Sequence, residues 1–365
     1  MIHKLSSKSY RLAIGLALFA MFFGSGNLIF PLSIGYFSQD QWVWGSLGFL
    51  LTGVLLPFVG VITMVIYQGD YTKFFEVLGK KGGFLFAFAL LSAWIPFGSG
   101  PRCVVLSYAN VEGFLFNVPL WAYSIVYSAI VYIIAFRKSA ALDILGYILT
   151  PLLLLCLASV VYLGVQGSTG IIEGSVKAPV AFSHAVIQGY QTQDLIASFF
   201  FAAAVIDIVS RNLKDGISPL KATFHSSIIG VTLLGIVYIG LIILASSSGK
   251  LLNGVTDDYL LTTLVNNFLP PKLAFTGSFA VALACLTTSV ALTFVYADFL
   301  QANFFQGKNG HAIAIFITVG ITFLFSLAGF ETISSVISPL MQFFYPCLIL
   351  MIIWNLAKYV KNGTL

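Results

Sequence analysis

Apolar windows long enough to cross a bilayer alternate along this chain with short polar connections. A spanning helix needs about 20 predominantly apolar residues. On that measure the pattern predicts ten helices, at 11–37, 41–67, 83–104, 117–136, 143–165, 182–209, 218–246, 272–300, 311–328 and 334–357. No Pro/Ser-rich or charged linker divides them, so residues 1–365 are expected to form a single all-α polytopic membrane domain. The longest outer connection, 247–271, carries Lys250, Asp257, Asp258 and Pro270-Pro271. It is expected to hold short helices that cover the outer mouth.

Two of the ten helices are interrupted. The first is broken by Gly24-Ser25-Gly26-Asn27 and resumes at Leu28-Ile29-Phe30-Pro31. In hydrocarbon, each freed N–H or C=O group costs several kcal/mol unless something satisfies it. The sixth carries Gln188-Gly189-Tyr190-Gln191-Thr192-Gln193-Asp194 between apolar flanks. An offset of five helices gives the two halves, about 11–165 and 182–357, opposite topology. Paired interrupted helices in inverted halves point to the binding site of a secondary transporter.

Composition sharpens the class. The chain is 59% hydrophobic and 8% charged, whereas soluble domains run near a quarter charged. Lipid must therefore do part of the solvating. Of the 18 Lys and Arg, 14 fall on one side of the predicted spans: Lys4, Lys8, Arg11, Lys73, Lys80, Lys81, Arg137, Lys138, Arg211, Lys214, Lys221, Lys308, Lys358 and Lys361. Lys177, Lys250 and Lys272 fall on the other. The rich side is cytoplasmic, which puts both termini inside, as ten crossings also require. Cations scattered over short loops exclude a nucleic-acid partner. The first apolar stretch is too long for a signal peptide and lacks a small-residue cleavage site. Cys103, Cys156, Cys285 and Cys347 show no metal spacing and read as small buried hydrophobes.

The candidate chemistry gathers at the breaks. A helix resuming after Gly24–Asn27 presents free N–H groups and a positive dipole end, which suit a carboxylate. The helix ending at Phe22-Phe23 presents carbonyls, which suit a cation or ammonium group. Asn27 serves either role. Asp194 at mid-membrane costs about 2.5–3.5 kcal/mol; a cation, an ammonium group or the amides of Gln191 and Gln193 would compensate it. The alternative makes this stretch an outer loop before a shorter helix. Tyr190 either lines the pocket or anchors an interface. Thr287-Thr288-Ser289 in helix 8 offers hydroxyls for a hard cation such as sodium, or bonds back to its own helix. Arg102, about 30 Å from Lys80-Lys81 at 1.5 Å per residue, sits at the outer edge. It either closes an outer gate with an acid such as Glu112 or Glu331, or snorkels. The absence of a G-x-x-x-x-G-K-[ST] motif excludes an ATP-driven pump. No nucleophile–base pair supports an enzyme.

These residues resemble a known family. Phe19-Ala20-Met21-Phe22-Phe23-Gly24-Ser25-Gly26-Asn27-Leu28-Ile29-Phe30-Pro31 is similar to the first helix of the bacterial branched-chain amino acid:cation symporters. So are Gly100-Pro101-Arg102, Gly189-Tyr190-x-Thr192-x-Asp194, Ala284-Cys285-Leu286 with Thr288, and Tyr345-Pro346-Cys347. The resemblance implies the five-plus-five inverted-repeat (LeuT-like) fold of the amino acid–polyamine–organocation superfamily. It implies uptake of leucine, isoleucine and valine with sodium across the cytoplasmic membrane of a bacterium, with no cofactor beyond that coupling ion. It also implies a substrate site of Phe22, Ser25, Gly26, Asn27, Gly189, Tyr190 and Asp194, with the Ser25 and Gly26 amides on the carboxylate. The Ala20 and Phe23 carbonyls with the Thr288 and Ser289 hydroxyls would hold sodium; one register over, Thr287 replaces Ser289. Arg102 is the expected gate. Members are usually longer by two helices, and the ten-helix core is expected to suffice for transport. Some proton-coupled relatives in the superfamily carry a lysine in helix 5; here that region reads Pro151-Leu152-Leu153-Leu154-Leu155, which favours sodium. The alternatives are a proton-coupled or broader neutral carrier that takes methionine and, from another class, a channel or membrane scaffold.

Overall fold

All regular structure among the described residues is helical. The computed structural model describes residues 15–362 except 17, 21, 116–117, 137–149, 169, 172, 213–218 and 308. Met21, Lys4, Lys8, Arg11, Arg137, Lys138, Lys214 and Lys308 lie outside the described residues.

All ten expected helices are present. Helix α1 spans 15–38 and is broken at Phe23-Gly24, its second half being Ser25–Ser38. Helix α2 joins Trp42–Leu50, Leu51–Leu55 and Leu56–Ile66; α3 joins Gly79–Trp94, Ile95–Ser99 and Gly100–Val111. Then come α4 (Leu120–Phe136), α5 (Thr150–Gly167), and α6 in two pieces, Ala178–Tyr190 and Asp194–Asn212. Helices α7 (Pro219–Ser247), α8 (Pro271–Asn303), α9 (Gly310–Ser326) and α10 (Phe330–Asn362) complete the bundle. The α7–α8 connection holds a short turn at Asp257–Tyr259 and a helix at Leu260–Phe268, which pack on α1, α3, α5 and α10. Short helical segments are thus present in this connection, as expected.

Apolar side chains fill both the core and the surface, with polar ones buried at particular places. Ser25, Asn27, Arg102, Gln191, Gln193 and Asp194 are buried, while Leu155, Phe316 and Leu350 are each at least 66% exposed. An apolar surface with its polar groups buried inside fits a lipid surround, where the hydrocarbon supplies no hydrogen bonds. The second half of α1 is central, with Leu28, Ile29, Leu32 and Ile34 all within 1% of full burial.

Two helices carry a single widened π turn. In α2 the Leu56 N–H reaches back to the Leu51 carbonyl, and in α3 the Gly100 N–H reaches back to Ile95. A proline follows each turn by two residues, Pro57 and Pro101. A proline ring clashes with the carbonyl four residues before it, here Gly53 and Phe97, both inside the widened turns. The extra residue relieves that clash and leaves backbone carbonyls off the regular ladder.

Helix α2 backs both halves of α6. Above its π turn, a Cβ on Gly48 would collide with the Phe182 carbonyl; below it, a Cβ on Gly60 would collide with Ser198 Oγ. Thr52 Oγ1, inside the turn, donates to the Val186 carbonyl at 2.9 Å. Small residues let these backbones approach closely.

Candidate functional site

The α1 break is shorter than its sequence suggests. Only Phe23 and Gly24 are non-helical, and the helix resumes at Ser25, three residues before Leu28. Asn27 is the cause: its Oδ1 accepts the Gly24 N–H at 2.9 Å and closes the first turn around an extended Gly24. Ser25, Gly26 and Asn27 therefore supply first-turn N–H groups, which have no partner within their own helix and stand at the positive dipole end. Because the Gly24 N–H turns to Asn27, the Ala20 carbonyl loses its normal helical donor.

The α6 break is Gln191-Thr192-Gln193, with Gln193 at φ 65°. Asp194 opens the second half, where a negative charge is favoured by the dipole. It is 1% exposed, which rules out the outer-loop alternative. Its Oδ2 accepts from Asn27 Nδ2 at 2.7 Å and from the Tyr238 hydroxyl at 2.9 Å. Asn27 Nδ2 also contacts the Tyr238 hydroxyl. One triangle thus ties α1, α6 and α7. No Lys or Arg among the described residues forms an ion pair with Asp194.

Gln191 and Gln193 do not compensate Asp194 as expected. Gln191 donates through Nε2 to Ser338 Oγ at 2.9 Å, and Gln193 Oε1 accepts from Ser99 Oγ at 2.5 Å. The turn aims both side chains away from the carboxylate, and Asn27 takes their place.

Arg102 also departs from expectation. Among the described residues it meets no acid, and it is buried rather than snorkelling. It is 1% exposed, and its Nη1 and Nη2 donate to the Gln191 carbonyl at 3.0 Å and to Gln191 Oε1 at 3.1 Å. Its guanidinium lies 5.3 Å from the Phe30 ring and 5.8 Å from the Phe330 ring. Glu112 is instead bonded by the Tyr259 hydroxyl, and Glu331 is exposed. The physical reason is the α6 break, which frees a backbone carbonyl at Gln191 for a planar, multi-donor cation.

Thr288 faces the α1 break. Its methyl carbon would lie 3.2 Å from a Cβ on Gly24, and its buried hydroxyl has no hydrogen-bond partner. Thr287 bonds back to the Ala284 carbonyl at 2.8 Å, and Ser289 Oγ pairs with the Tyr127 hydroxyl at 2.9 Å. Gly26 is pressed against the α6 break, where a Cβ would lie 3.1 Å from Thr192 Cα and 3.2 Å from the Gln191 oxygen.

Between the breaks is a cavity of about 20 Å³, room for about one water. Phe22, Ser25, Gly26, Asn27, Asp194 and Thr288 line it, together with Trp94 and Ser99 of α3, Ala197 and Phe201 of α6 and Leu292 of α8. Gly189 and Tyr190 do not. Gly189 is packed on Thr52, and the Tyr190 ring lies on Tyr345 at 4.5 Å. Sequence reasoning missed Tyr238, Trp94, Phe201 and Leu292. For Tyr238 a signal existed: a lone phenol in Gly235-Ile236-Val237-Tyr238-Ile239-Gly240 is mid-span, and a buried phenol needs a partner.

The chain is similar to known proteins along nearly its whole length. The profile of the family described as branched-chain amino acid transport protein matches residues 7–364. The branched-chain amino acid permease BrnQ of Salmonella typhimurium is 27% identical, over 100% of this chain and 84% of the permease. Among solved structures, MhsT in complex with L-phenylalanine superposes with a TM-score of 0.62 at 16% identity, over 97% of this chain and 89% of MhsT. A Na+-coupled sialic acid symporter in a substrate-bound outward-open state gives 0.60 at 14% identity, over 91% of this chain and 76% of the symporter. Likeness at this level establishes a shared LeuT-type fold.

Proposed function

This chain belongs to the branched-chain amino acid transport protein family, and from that membership we propose that it is a sodium-coupled symporter importing leucine, isoleucine and valine across the bacterial cytoplasmic membrane. The observation that carries the reading is one cavity with amides on one wall and a carboxylate on the other. First-turn N–H groups of Ser25 and Gly26 complement a substrate carboxylate. Asp194, free of any cationic partner among the described residues, complements an ammonium group. Phe22, Trp94, Ala197, Phe201 and Leu292 give the side chain an apolar enclosure. An amino acid exceeds 20 Å³, so entry requires α1 and α6 to part from α3 and α8. The halves 11–165 and 182–357 are proposed as the inverted repeats whose rocking does this, with both termini inside. Arg102, holding Gln191, is proposed as the outer latch.

The sodium assignment draws on the α1–α8 contact. The Ala20 and Phe23 carbonyls and the Thr288 and Ser289 hydroxyls would hold the ion as neutral oxygens. An ion held there favours the docked position of α1. At 100 mV one sodium supplies about 2.3 kcal/mol, roughly a 50-fold gradient. A second reading, proton coupling, draws on the same Asp194, whose buried carboxylate is a proton acceptor without a counterion.

Purified protein in liposomes should accumulate labelled leucine under an inward sodium gradient. Thr288→Val keeps shape and removes one oxygen. Its half-saturating sodium concentration should rise about fivefold, the equivalent of about 1 kcal/mol, with leucine affinity at saturating sodium little changed. Thr287→Val should behave as the wild type. Uptake that ignores sodium and follows a proton gradient moves the proton-coupled reading to first place.

A further inference from the structure

A second cavity, of about 10 Å³, lies behind the first, between α3, α4, α8 and α9. Ile95 and Val104 of α3, Val131 of α4 and Val319 of α9 line it, with hydroxyls among them at Ser128 and Thr322. Helices α3 and α8 separate it from the cavity between the breaks. On α3, Trp94 and Ser99 line the front cavity, whereas the residues that follow each of them, Ile95 and Gly100, line the rear one. On α8, Thr288 lines the front cavity, and Ser289 and Thr293 line the rear. Leu292 alone, among the described residues, lines both. Helical geometry explains this, since Leu292 stands about 40° around α8 from Thr288 and Thr293 about 140°.

We propose that Leu292 sets the upper limit on the side chain this protein transports, and that the rear cavity is an extension of the site closed off by that one residue. The inference rests on the substrate site proposed above. With the substrate's carboxylate on the Ser25 and Gly26 amides and its ammonium group on Asp194, its side chain is left to point at α3 and α8. There the front cavity presents Trp94 and Leu292. The parting of α1 and α6 that admits the amino acid leaves this wall in place. The aromatic part of the enclosure is braced: Trp94 lies against Phe201 with ring centroids 5.5 Å apart, and Phe201 against Phe22 at 6.2 Å. Ala197 has only a methyl group to give. Leu292, 2% exposed, is the one long aliphatic side chain in the lining. A leucine or valine side chain can end against it. A phenyl ring cannot, and the room it needs begins behind Leu292. Going from leucine to phenylalanine adds as many carbons to the substrate as Leu292→Ala takes from the wall. That substitution therefore joins the two cavities and matches the larger substrate in volume. In an apolar pocket a single methylene already changes selectivity about 10- to 200-fold.

The measurement is kcat/KM for uptake of labelled leucine and of labelled phenylalanine by proteoliposomes, taken as a ratio. Wild type should favour leucine. Leu292→Ala should raise the phenylalanine-to-leucine ratio at least about tenfold, the low end for a methylene-sized change. Adding Val319→Leu to Leu292→Ala refills the rear cavity from α9 and should bring the ratio back toward the wild-type value. Leu292→Val removes less of the wall and should shift the ratio the same way by a smaller factor, which keeps the test open if the alanine variant does not fold. If a folded variant binds but does not transport, displacement of bound labelled leucine by phenylalanine reads the same ratio. An unchanged ratio in Leu292→Ala and Leu292→Val overturns the proposal. So does a gain that Val319→Leu leaves intact, since the added room would then lie elsewhere. Failure of the wild type to bind or import leucine overturns instead the substrate site on which the inference rests.

Discussion

Asp194→Asn should leave the protein folded and abundant but remove most of its uptake. A buried carboxylate at mid-bilayer costs about 2.5–3.5 kcal/mol on insertion scales, so neutralising it does not weaken the fold. The asparagine oxygen can still accept from Asn27 and Tyr238, which now bond Asp194 Oδ2. The loss falls on the other position, where a carboxamide NH2, a donor that cannot accept from an ammonium group, replaces an anionic oxygen. Hydrogen bonds to charged groups contribute about 1.5–3 kcal/mol, so KM for leucine should rise about 10- to 100-fold. Initial-rate uptake in proteoliposomes, paired with a size-exclusion profile, measures both parts. Tyr238→Phe keeps the charge and should lose less. An Asp194→Asn protein with wild-type KM and maximal rate would remove the carboxylate from the site.

Gly26→Val should be nearly as damaging, for a steric reason. A Cβ on Gly26 meets Thr192 Cα at 3.1 Å, the Gln191 oxygen at 3.2 Å and Phe30 Cε2 at 3.3 Å. Two of these three atoms are backbone of the α6 break and cannot swing aside. Alanine must push the breaks apart by a few tenths of an ångström, and valine by more. Overpacking of this kind costs about 1–3 kcal/mol, and here the whole displacement falls on the cavity wall. Uptake should drop about 100-fold for valine, equivalent to about 2.7 kcal/mol, and less for alanine. Gly320→Ala, where a Cβ meets nothing within 4 Å, is the control. Normal transport by Gly26→Val would separate the α1 break from the α6 break functionally.

The ten helices were legible because hydrocarbon imposes its length on apolar windows. Both breaks were legible because glycine and polar residues interrupted those windows. Their limits were not. Asn27 closes its own turn through a side-chain bond to Gly24, and polarity says nothing about which way a side chain folds back. Arg102 was legible as a charge out of place, but its partner was sought among acids. A carbonyl freed by a break has no letter in the sequence. Tyr238 and Trp94 were missed because contacts across 211 residues, such as Asn27 to Tyr238, depend on how helices pack.

The π turn of α2 stands level with the α6 break: Thr52 within it bonds Val186, just before the break. The two helices are joined tightly above that level through Gly48 and below it through Gly60. Mechanically they make two stiff forearms with a common elbow. Bending should concentrate where both backbones have already left the regular ladder, so that tilt at one end need not carry to the other. Pressure on one end of the pair can then load that forearm while the other stays braced. That independence is what a two-sided valve requires if its doors are never to open together.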